Sequence, residues 1–558
     1  MTVPELRPWR TAGPRVARAA GAVRPRLTRF ARTATPWVAR FARFARTTAP
    51  QLARITRPKT WQYTAGAATA GLALAAGVVT AAGPWDSTGQ RTAERDRAVA
   101  LDHTGGTDHG RGPGNSGTAP GSPRPAPSAG PVLAGLGGTT TGGVKAAPGD
   151  RAALADLLDP LLKDAPALGE RRAAAVVDLT TGKRLYGLDS GTALTPASTT
   201  KIATAVAALT ALGPDHRLTT RTALEADTGE LVLVGGGDPT LTAREDDGGT
   251  SRSWGSPRVS EAERGGEAES GGGLASLRTL AEKTAAALKK RDVRKVTLSY
   301  DTTLYAGTDL HPIGVNENLA RVTALMADEG RTDDSTSGPA PRVADPADAA
   351  ARAFAGFLKQ HGITASPPGP SKATGRAATL ATVSSPPLSA LVERMLTNSD
   401  NDLAEALARH TAVATGKRAD FAGAGAAITA RLKQLGLPVD GARFHDGSGL
   451  DRTDLITPDL LTALLTEAAD PSRPQLRPVL TGLPVAHFTG TLAGRYTDGA
   501  AGLVRAKTGT LTGVNTLAGT ITTPDGHLLG FAFLANATTD AWAAQSALDR
   551  AATTLASP

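Results

Sequence analysis

Ser198 and Lys201 stand one helical turn apart in the run Thr195-Pro196-Ala197-Ser198-Thr199-Thr200-Lys201, and that spacing limits the fold more than anything else in the chain. Thr195 suits a helix cap and Pro196 a first helical position. Ile202, Val206 and Leu209 then share one face, the pattern of a helix packed into a core. A serine becomes a useful nucleophile only when a neighbouring base takes its proton. Lysine can be that base only when uncharged, and at its ordinary pKa about 0.04% is neutral at pH 7. Any fold that uses the pair must therefore desolvate Lys201 or set a second cation beside it. Alone, Ser-x-x-Lys also fits an ordinary polar first turn.

Two further motifs narrow the choice. Ser399-Asp400-Asn401 is the single Ser-x-Asn of the chain, and Lys507-Thr508-Gly509 its single Lys-Thr-Gly. Lys201 is the one lysine with a serine three positions before it. The three motifs occur once each, in the order used by penicillin-recognising serine hydrolases.

The rest of the 558 residues divides by composition. The net charge of +9 belongs to an N-terminal arm: residues 1–60 hold thirteen Arg and Lys59 against Glu5. The arm at 1–59 reads as disordered. Residues 60–85 carry no charge, and Thr64–Gly83 would span about 30 Å as a helix, the thickness of a bilayer core. Trp61, Tyr63 and Trp85 flank it as interfacial aromatics do. The expectation is a single-pass signal-anchor with the arm in the cytoplasm, or a cleaved signal that leaves a secreted protein. This explains the basic arm without a nucleic-acid partner. Residues 86–150, rich in Gly, Pro, Ser and Thr, read as a flexible tether. The chain has no Cys, which excludes disulfides and thiol chemistry.

From residue 151 the pattern is that of a folded α+β protein. Ala173–Val177, a Thr180-Thr181-Gly182 turn and Arg184–Tyr186 read as a hairpin. Leu503–Thr508, Val514–Ile521 and Leu528–Leu534 read as late strands, and Asp540–Leu555 as a last helix. Together they suggest one antiparallel sheet built from both chain ends, with helices on its faces. The expected division is a catalytic domain at 151–215 and 373–558, with an accessory domain inserted at 216–372. Glu245–Gly273 reads as a disordered surface insertion, and Thr332–Pro341 as a second low-complexity piece. Helices are expected at Leu274–Leu288, Pro346–His361 and Phe421–Leu435.

Longer runs carry a family resemblance: Val234-Gly235-Gly236-Gly237-Asp238-Pro239-Thr240-Leu241, Ser385-Pro386-Pro387-Leu388, Ser399–Ala406, Asp446-Gly447-Ser448-Gly449-Leu450 and Ala506–Leu511. Over about residues 150–555 the chain resembles the D-alanyl-D-alanine carboxypeptidases/endopeptidases of the penicillin-binding protein 4 type (class C, low molecular mass). The resemblance implies the penicillin-binding/serine β-lactamase-like transpeptidase fold, a five-stranded antiparallel sheet flanked by helices with a helical subdomain. It also implies peptidoglycan stem peptides as substrate and β-lactam antibiotics as inhibitors. Ser198 would attack the peptide bond between two D-alanines, Lys201 would be the base, and Ser399 would relay a proton. Asn401 would hold Lys201 and the substrate backbone. Lys507 would lower the Lys201 pKa and, with Thr508, Gly509 and Thr510, bind the terminal carboxylate. The backbone N–H groups of Ser198 and Thr510 would form the oxyanion hole. Arg452 would meet the side-chain carboxylate of diaminopimelate. Two features depart from the family: Asp451 and Asp454 stand where Ser and Asn are expected, and Ala486-His487-Phe488-Thr489-Gly490-Thr491-Leu492 replaces an Ala-Gly-x-Asp-Gly-Thr-Leu run. No metal-ligand spacing is present among the nine His, so no metal or other cofactor is expected. A β-lactamase and a non-catalytic cell-wall scaffold are the alternatives. The former lacks a Glu-x-x-Leu-Asn signature between the second and third motifs.

Overall fold

The structure is a computed structural model that describes residues 151–225, 227–244, 273–497 and 499–556. The expected arm, membrane span and tether lie outside those residues, as does the insertion except for Gly273. Among the described residues no helix is long and apolar enough to cross a membrane.

Helix α1 (Arg151–Leu162) leads into the hairpin β1 (Arg171–Asp178) and β2 (Arg184–Leu188). Asp178 Oδ1 accepts from the backbone N–H groups of Thr180 and Thr181 and shapes the turn. Helix α2 (Thr200–Leu212) carries Lys201. The chain then leaves for a second sheet: β3 (Thr219–Leu224), β4 (Glu230–Val234), helix α3 (Leu277–Lys289), β5 (Lys295–Asp301), helix α4 (Pro346–Gln360), the short β6 (Thr364–Ala365) and β7 (Gly369–Pro370), and β8 (Ala378–Ser384). It returns through α5 (Leu388–Asn398), α6 (Asn401–Ala414), α7 (Phe421–Gln434), α8 (Pro458–Ala469) and α9 (Arg477–Thr481). The meander β9 (Val504–Leu511), β10 (Val514–Thr522), β11 (Leu528–Asn536) and helix α10 (Ala541–Ala556) complete it.

The first sheet has the order β2-β1-β11-β10-β9 with all pairs antiparallel, so both chain ends do build it. Its central strands are apolar on both sides because both faces are covered. Ala174, Val176, Leu517, Phe531 and Phe533 pack with α1 and α10. Ala173, Val177, Ala518, Ala532 and Leu534 turn the other way, toward α2 and α8. Helix α2 is buried on every side from Thr200 to Leu209, which accounts for its near-continuous Ala, Val, Ile and Leu.

The second sheet has the order β6-β5-β4-β3-β8, with β7 also on β5. Its strand β8 pairs with β3, so the accessory region runs to Ser384 and the boundary expected at 372 falls too early. β8 ends the strand order, and the alternation of Ala381 and Val383 with exposed residues, a faint signal in a short run, shows that one of its faces is covered. The piece at Thr332–Pro341 is likewise structured. Thr332 N–H donates to the Pro341 carbonyl at 3.1 Å, and Arg331 and Arg342 bridge its ends.

Candidate active site

Ser198 does not sit inside the first turn of a capped helix, as the sequence suggests. It occupies a separate 3-10 turn, Ala197–Thr199, ahead of α2, and Ala197 has φ +47°. Thr195 caps nothing. Its backbone N–H and C=O bond the Asn536 side chain at 3.0 and 3.1 Å, and its hydroxyl reaches the Arg452 carbonyl. The Pro196 carbonyl accepts from Thr199 Oγ1 and Thr516 Oγ1, each at 2.7 Å. Residues of β10 and β11 therefore hold the turn with Ala197 in a left-handed conformation, which costs a residue with a Cβ about 1–2 kcal/mol.

Two glycines press on the same turn. A Cβ on Gly509 would lie 2.6 Å from the Pro196 carbonyl oxygen and 3.1 Å from the Ser198 nitrogen. One on Gly449 would lie 2.6 Å from the Ala197 carbonyl carbon. The glycines of Lys-Thr-Gly and Asp-Gly-Ser-Gly-Leu thus let β9 and a loop close on the serine from either side.

Lys201 Nζ is fully buried and meets three oxygens: Ser198 Oγ at 3.0 Å, Asn401 Oδ1 at 2.7 Å and the Ser448 carbonyl at 2.7 Å. Burial pulls its pKa down to about 8, while the carboxylates of Asp446, Glu405, Asp400 and Asp402 pull the other way. Lys507 is also fully buried and donates to the Thr508 carbonyl at 2.8 Å. Burial, and then the charge of Lys201, push its pKa well below the usual lysine value. Burial is the leading cause at both lysines, and two like charges buried together repel one another at either site.

Ser399 ends α5 with φ +58°, and Asp400 caps α6 by accepting from the Leu403 N–H at 2.9 Å. The left-handed residue turns the chain between the two helices, so that Ser399 and Asn401 both line the cleft. Asn401 Nδ2 donates to the Asn318 carbonyl at 2.9 Å, which leaves Oδ1 for Lys201.

Ser198, Ser399, Asn401, Thr508 and Thr510 line one cleft of about 440 Å³. Lys201, Lys507 and Gly509 are not among its lining residues. Arg452 is not among the lining residues. Its exposed guanidinium donates twice to the Thr512 carbonyl at 3.0 Å and braces the β9–β10 turn. Neither His487 nor Phe488 lines the cleft. Their neighbour Thr491 does, accepting from Thr508 Oγ1 at 2.9 Å.

Sequence reasoning missed the opposite wall: Asn318, Arg331, Ser337, Gly338, Pro339 and Arg342. Its charges are paired across elements. Arg331 bonds Glu329 at 2.7 Å, Arg342 bonds Asp402 at 2.9 Å, and Arg394 meets both Glu329 and Asp400. Burial, followed by the Asp400 charge, raises Glu329 to about 8, and burial raises Asp402 to about 6. This group of three acids is met by three arginines rather than left open for a cation. The available signal was Arg331 and Arg342 bracketing a Gly/Ser/Asp run, which composition alone reads as loop.

Asp454, one of the two departures after the Gly-rich loop, is held as a neutral acid. Burial, then the charge of Asp446, raise its pKa to about 10 while its Oδ1 accepts from the His445 N–H at 2.6 Å. Its Oδ2 is buried with no hydrogen-bond partner among the described residues.

The sequence matches the D-Ala-D-Ala carboxypeptidase 3 (S13) family over residues 154–338 and 332–555. Carboxypeptidase DacB of Mycolicibacterium smegmatis is 34% identical over 376 residues, 65% of this chain and 75% of that protein. A D-alanyl-D-alanine carboxypeptidase of Actinomadura sp. is 30% identical over 433 residues, 66% of this chain and 79% of the relative. The crystal structure of penicillin binding protein 4 from Haemophilus influenzae shares the fold, with a TM-score of 0.56 at 21% identity, over 71% of this chain and 97% of that one. The chain belongs to the D-Ala-D-Ala carboxypeptidase 3 (S13) family.

Proposed function

We propose that this protein is a penicillin-sensitive serine D-alanyl-D-alanine carboxypeptidase, with endopeptidase action, that trims peptidoglycan stem peptides. The observation that carries the reading is the surroundings of Lys201 Nζ. A neutral amine has two N–H groups and one lone pair. Asn401 Oδ1 and the Ser448 carbonyl, each at 2.7 Å, take the two donors. The lone pair is then left for the hydroxyl of Ser198 at 3.0 Å.

In this reading Ser198 Oγ attacks the carbonyl carbon between the two D-alanines and its proton passes to Lys201. The C–N bond breaks as Ser399 delivers a proton to the departing amine, and D-alanine leaves. The Ser198 ester is then hydrolysed by water. Thr508, Thr510 and Lys507 receive the terminal carboxylate, and the N–H groups of Ser198 and Thr510 hold the oxyanion. Family membership and the intact motifs support these roles. Residues 60–85, uncharged and preceded by a strongly basic arm, support a catalytic domain held outside the cell membrane. Protease added to intact cells should then remove the domain and spare an N-terminal fragment.

The test uses a stem peptide ending in D-Ala-D-Ala, a cross-linked dimer and fluorescent penicillin. D-Alanine release together with a stable adduct on Ser198 is expected, and both should vanish in Ser198→Ala. Fast turnover of penicillin would make the protein a β-lactamase, and no reaction with either probe would make it a scaffold. Cleavage of the dimer reads the endopeptidase activity separately.

A further inference from the structure

His311 lies in the loop between β5 and α4, in the region that interrupts the catalytic domain. It is 2% exposed and packs edge-on against Phe421, with ring centroids 5.1 Å apart. Both of its nitrogens are engaged. The Ile313 N–H donates to Nδ1 at 3.2 Å, so Nδ1 carries the lone pair of a neutral ring. The proton is then on Nε2, which donates to Asp446 Oδ2 at 3.0 Å.

Asp446 organises the loop that follows it. Its Oδ1 accepts from the Gly449 N–H at 2.6 Å, and its Oδ2 accepts from the Asp451 N–H at 2.8 Å and Ser448 Oγ at 3.2 Å. Glu405 grips the same turn, accepting from the N–H groups of Gly447 and Ser448 at 3.1 and 2.9 Å. The turn so held presents the Ser448 carbonyl to Lys201. Burial works against the charge on Asp446, yet the His311 hydrogen bond and the backbone donors hold its pKa at about 2.

We infer that His311 is a positioning residue: through Asp446 it fixes the Ser448 carbonyl that orients Lys201 toward Ser198. The inference rests on Lys201 acting as the base. It gives the accessory region a direct part in the chemistry, because the loop it lends completes the support beneath the lysine. Without the His311 donor the Asp446 charge would be less compensated, and the Ser448 acceptor would lose its fixed place. Asp446, Glu405, Asp400 and Asp402 already favour the cationic form of Lys201, and Lys507 is the other buried amine of the site. Asp446, Glu405 and Asp451 are the charges that face His311.

The test measures second-order acylation by penicillin against pH for the full chain, His311→Leu, His311→Gln and Lys201→Ala. The Leu variant should lose on the order of tenfold or more at pH 7, and its acid-limb midpoint should move up. In the Gln variant the terminal amide N–H reaches the Nε2 position, so rate and midpoint should return close to wild type. A folded Leu variant with wild-type rate and midpoint overturns the inference, as does a folded Gln variant as slow as Leu. If His311→Leu shows no thermal transition, the Gln variant decides by the same criterion: wild-type values support the inference, and a collapsed rate overturns it. Normal acylation by Lys201→Ala would instead remove the base reading itself, whatever the His311 variants do.

Discussion

Lys201 Nζ lies 2.7 Å from Asn401 Oδ1, although the two residues are 200 positions apart in the chain. The accessory region is inserted between them, and the fold brings α2 and α6 together over a shared core of Ala205, Leu209, Leu403 and Leu407. Burial lowers the pKa of Lys201 at this contact, against the pull of the nearby carboxylates. A pKa of about 8 leaves about a tenth of Lys201 neutral at pH 7. Acylation should therefore rise with pH, with a midpoint near 8. Asn401→Asp replaces a neutral acceptor with a carboxylate and favours the ammonium form. The midpoint should move up by about one unit or more, with activity regained at higher pH. A pH–rate profile with penicillin measures this, and an unmoved midpoint would mean that Asn401 acts on the substrate alone.

Gly509→Ala tests the packing around the nucleophile. The added Cβ meets Pro196 and Ser198 backbone atoms that cannot swing away, and it falls closer still to Thr516 Oγ1. Overpacking of this kind costs about 1–3 kcal/mol, and here the 3-10 turn gives way first. A lower Tm together with a slower acylation rate is expected. A lower Tm with wild-type acylation would show that the turn is not held by this contact.

Asp454→Asn tests the neutral acid. The folded pKa of about 10 lies above the ordinary Asp value, so the folded state holds a proton that the unfolded state has released. That contribution to stability is complete below the unfolded pKa and is lost as pH rises toward 10. Asn carries no proton to lose. The variant should match the wild type near pH 4 and melt higher at pH 8. Parallel Tm curves over this range would mean that Asp454 is ionised in the folded protein.

The motifs and the main sheet were legible because each rests on short-range signals. Ser-x-x-Lys follows from helical spacing, and Val504–Leu511, Val514–Thr522 and Leu528–Asn536 are apolar runs separated by turns. What was not legible depends on contacts across the chain. Nothing local in Asp-Gly-Ser-Gly-Leu says that the Ser448 carbonyl faces a lysine 247 positions away. The ligand role of Arg452 came from the family resemblance alone, and nothing local in the sequence says that its guanidinium meets the Thr512 carbonyl. The Thr332–Pro341 segment read only as low-complexity because it has no apolar spacing, while Arg331, Arg342 and Arg394 around it meet buried acids.

Lys507 is the second buried amine of the site. Sequence reasoning made it the cation that keeps Lys201 neutral. In the structure burial lowers both lysines, and the Lys201 charge pushes Lys507 down further. Its hydrogen bond goes to the Thr508 carbonyl, which a neutral amine satisfies as well as an ammonium. Burial thus favours the uncharged amine in the free enzyme, and an arriving carboxylate would favour the ammonium. Lys507→Met removes the amine with little change in volume. The acid limb of kcat/KM reports the free enzyme, so its midpoint should stay near 8 while KM rises. Lys507→Arg forces a permanent cation into the same buried place. Its midpoint should move to lower pH even as the overall rate falls through crowding. The two variants thus separate charge from occupancy. A midpoint that rises by about a unit in Lys507→Met, equivalent to about 1.4 kcal/mol, would show that Lys507 is charged at rest and does hold Lys201 neutral.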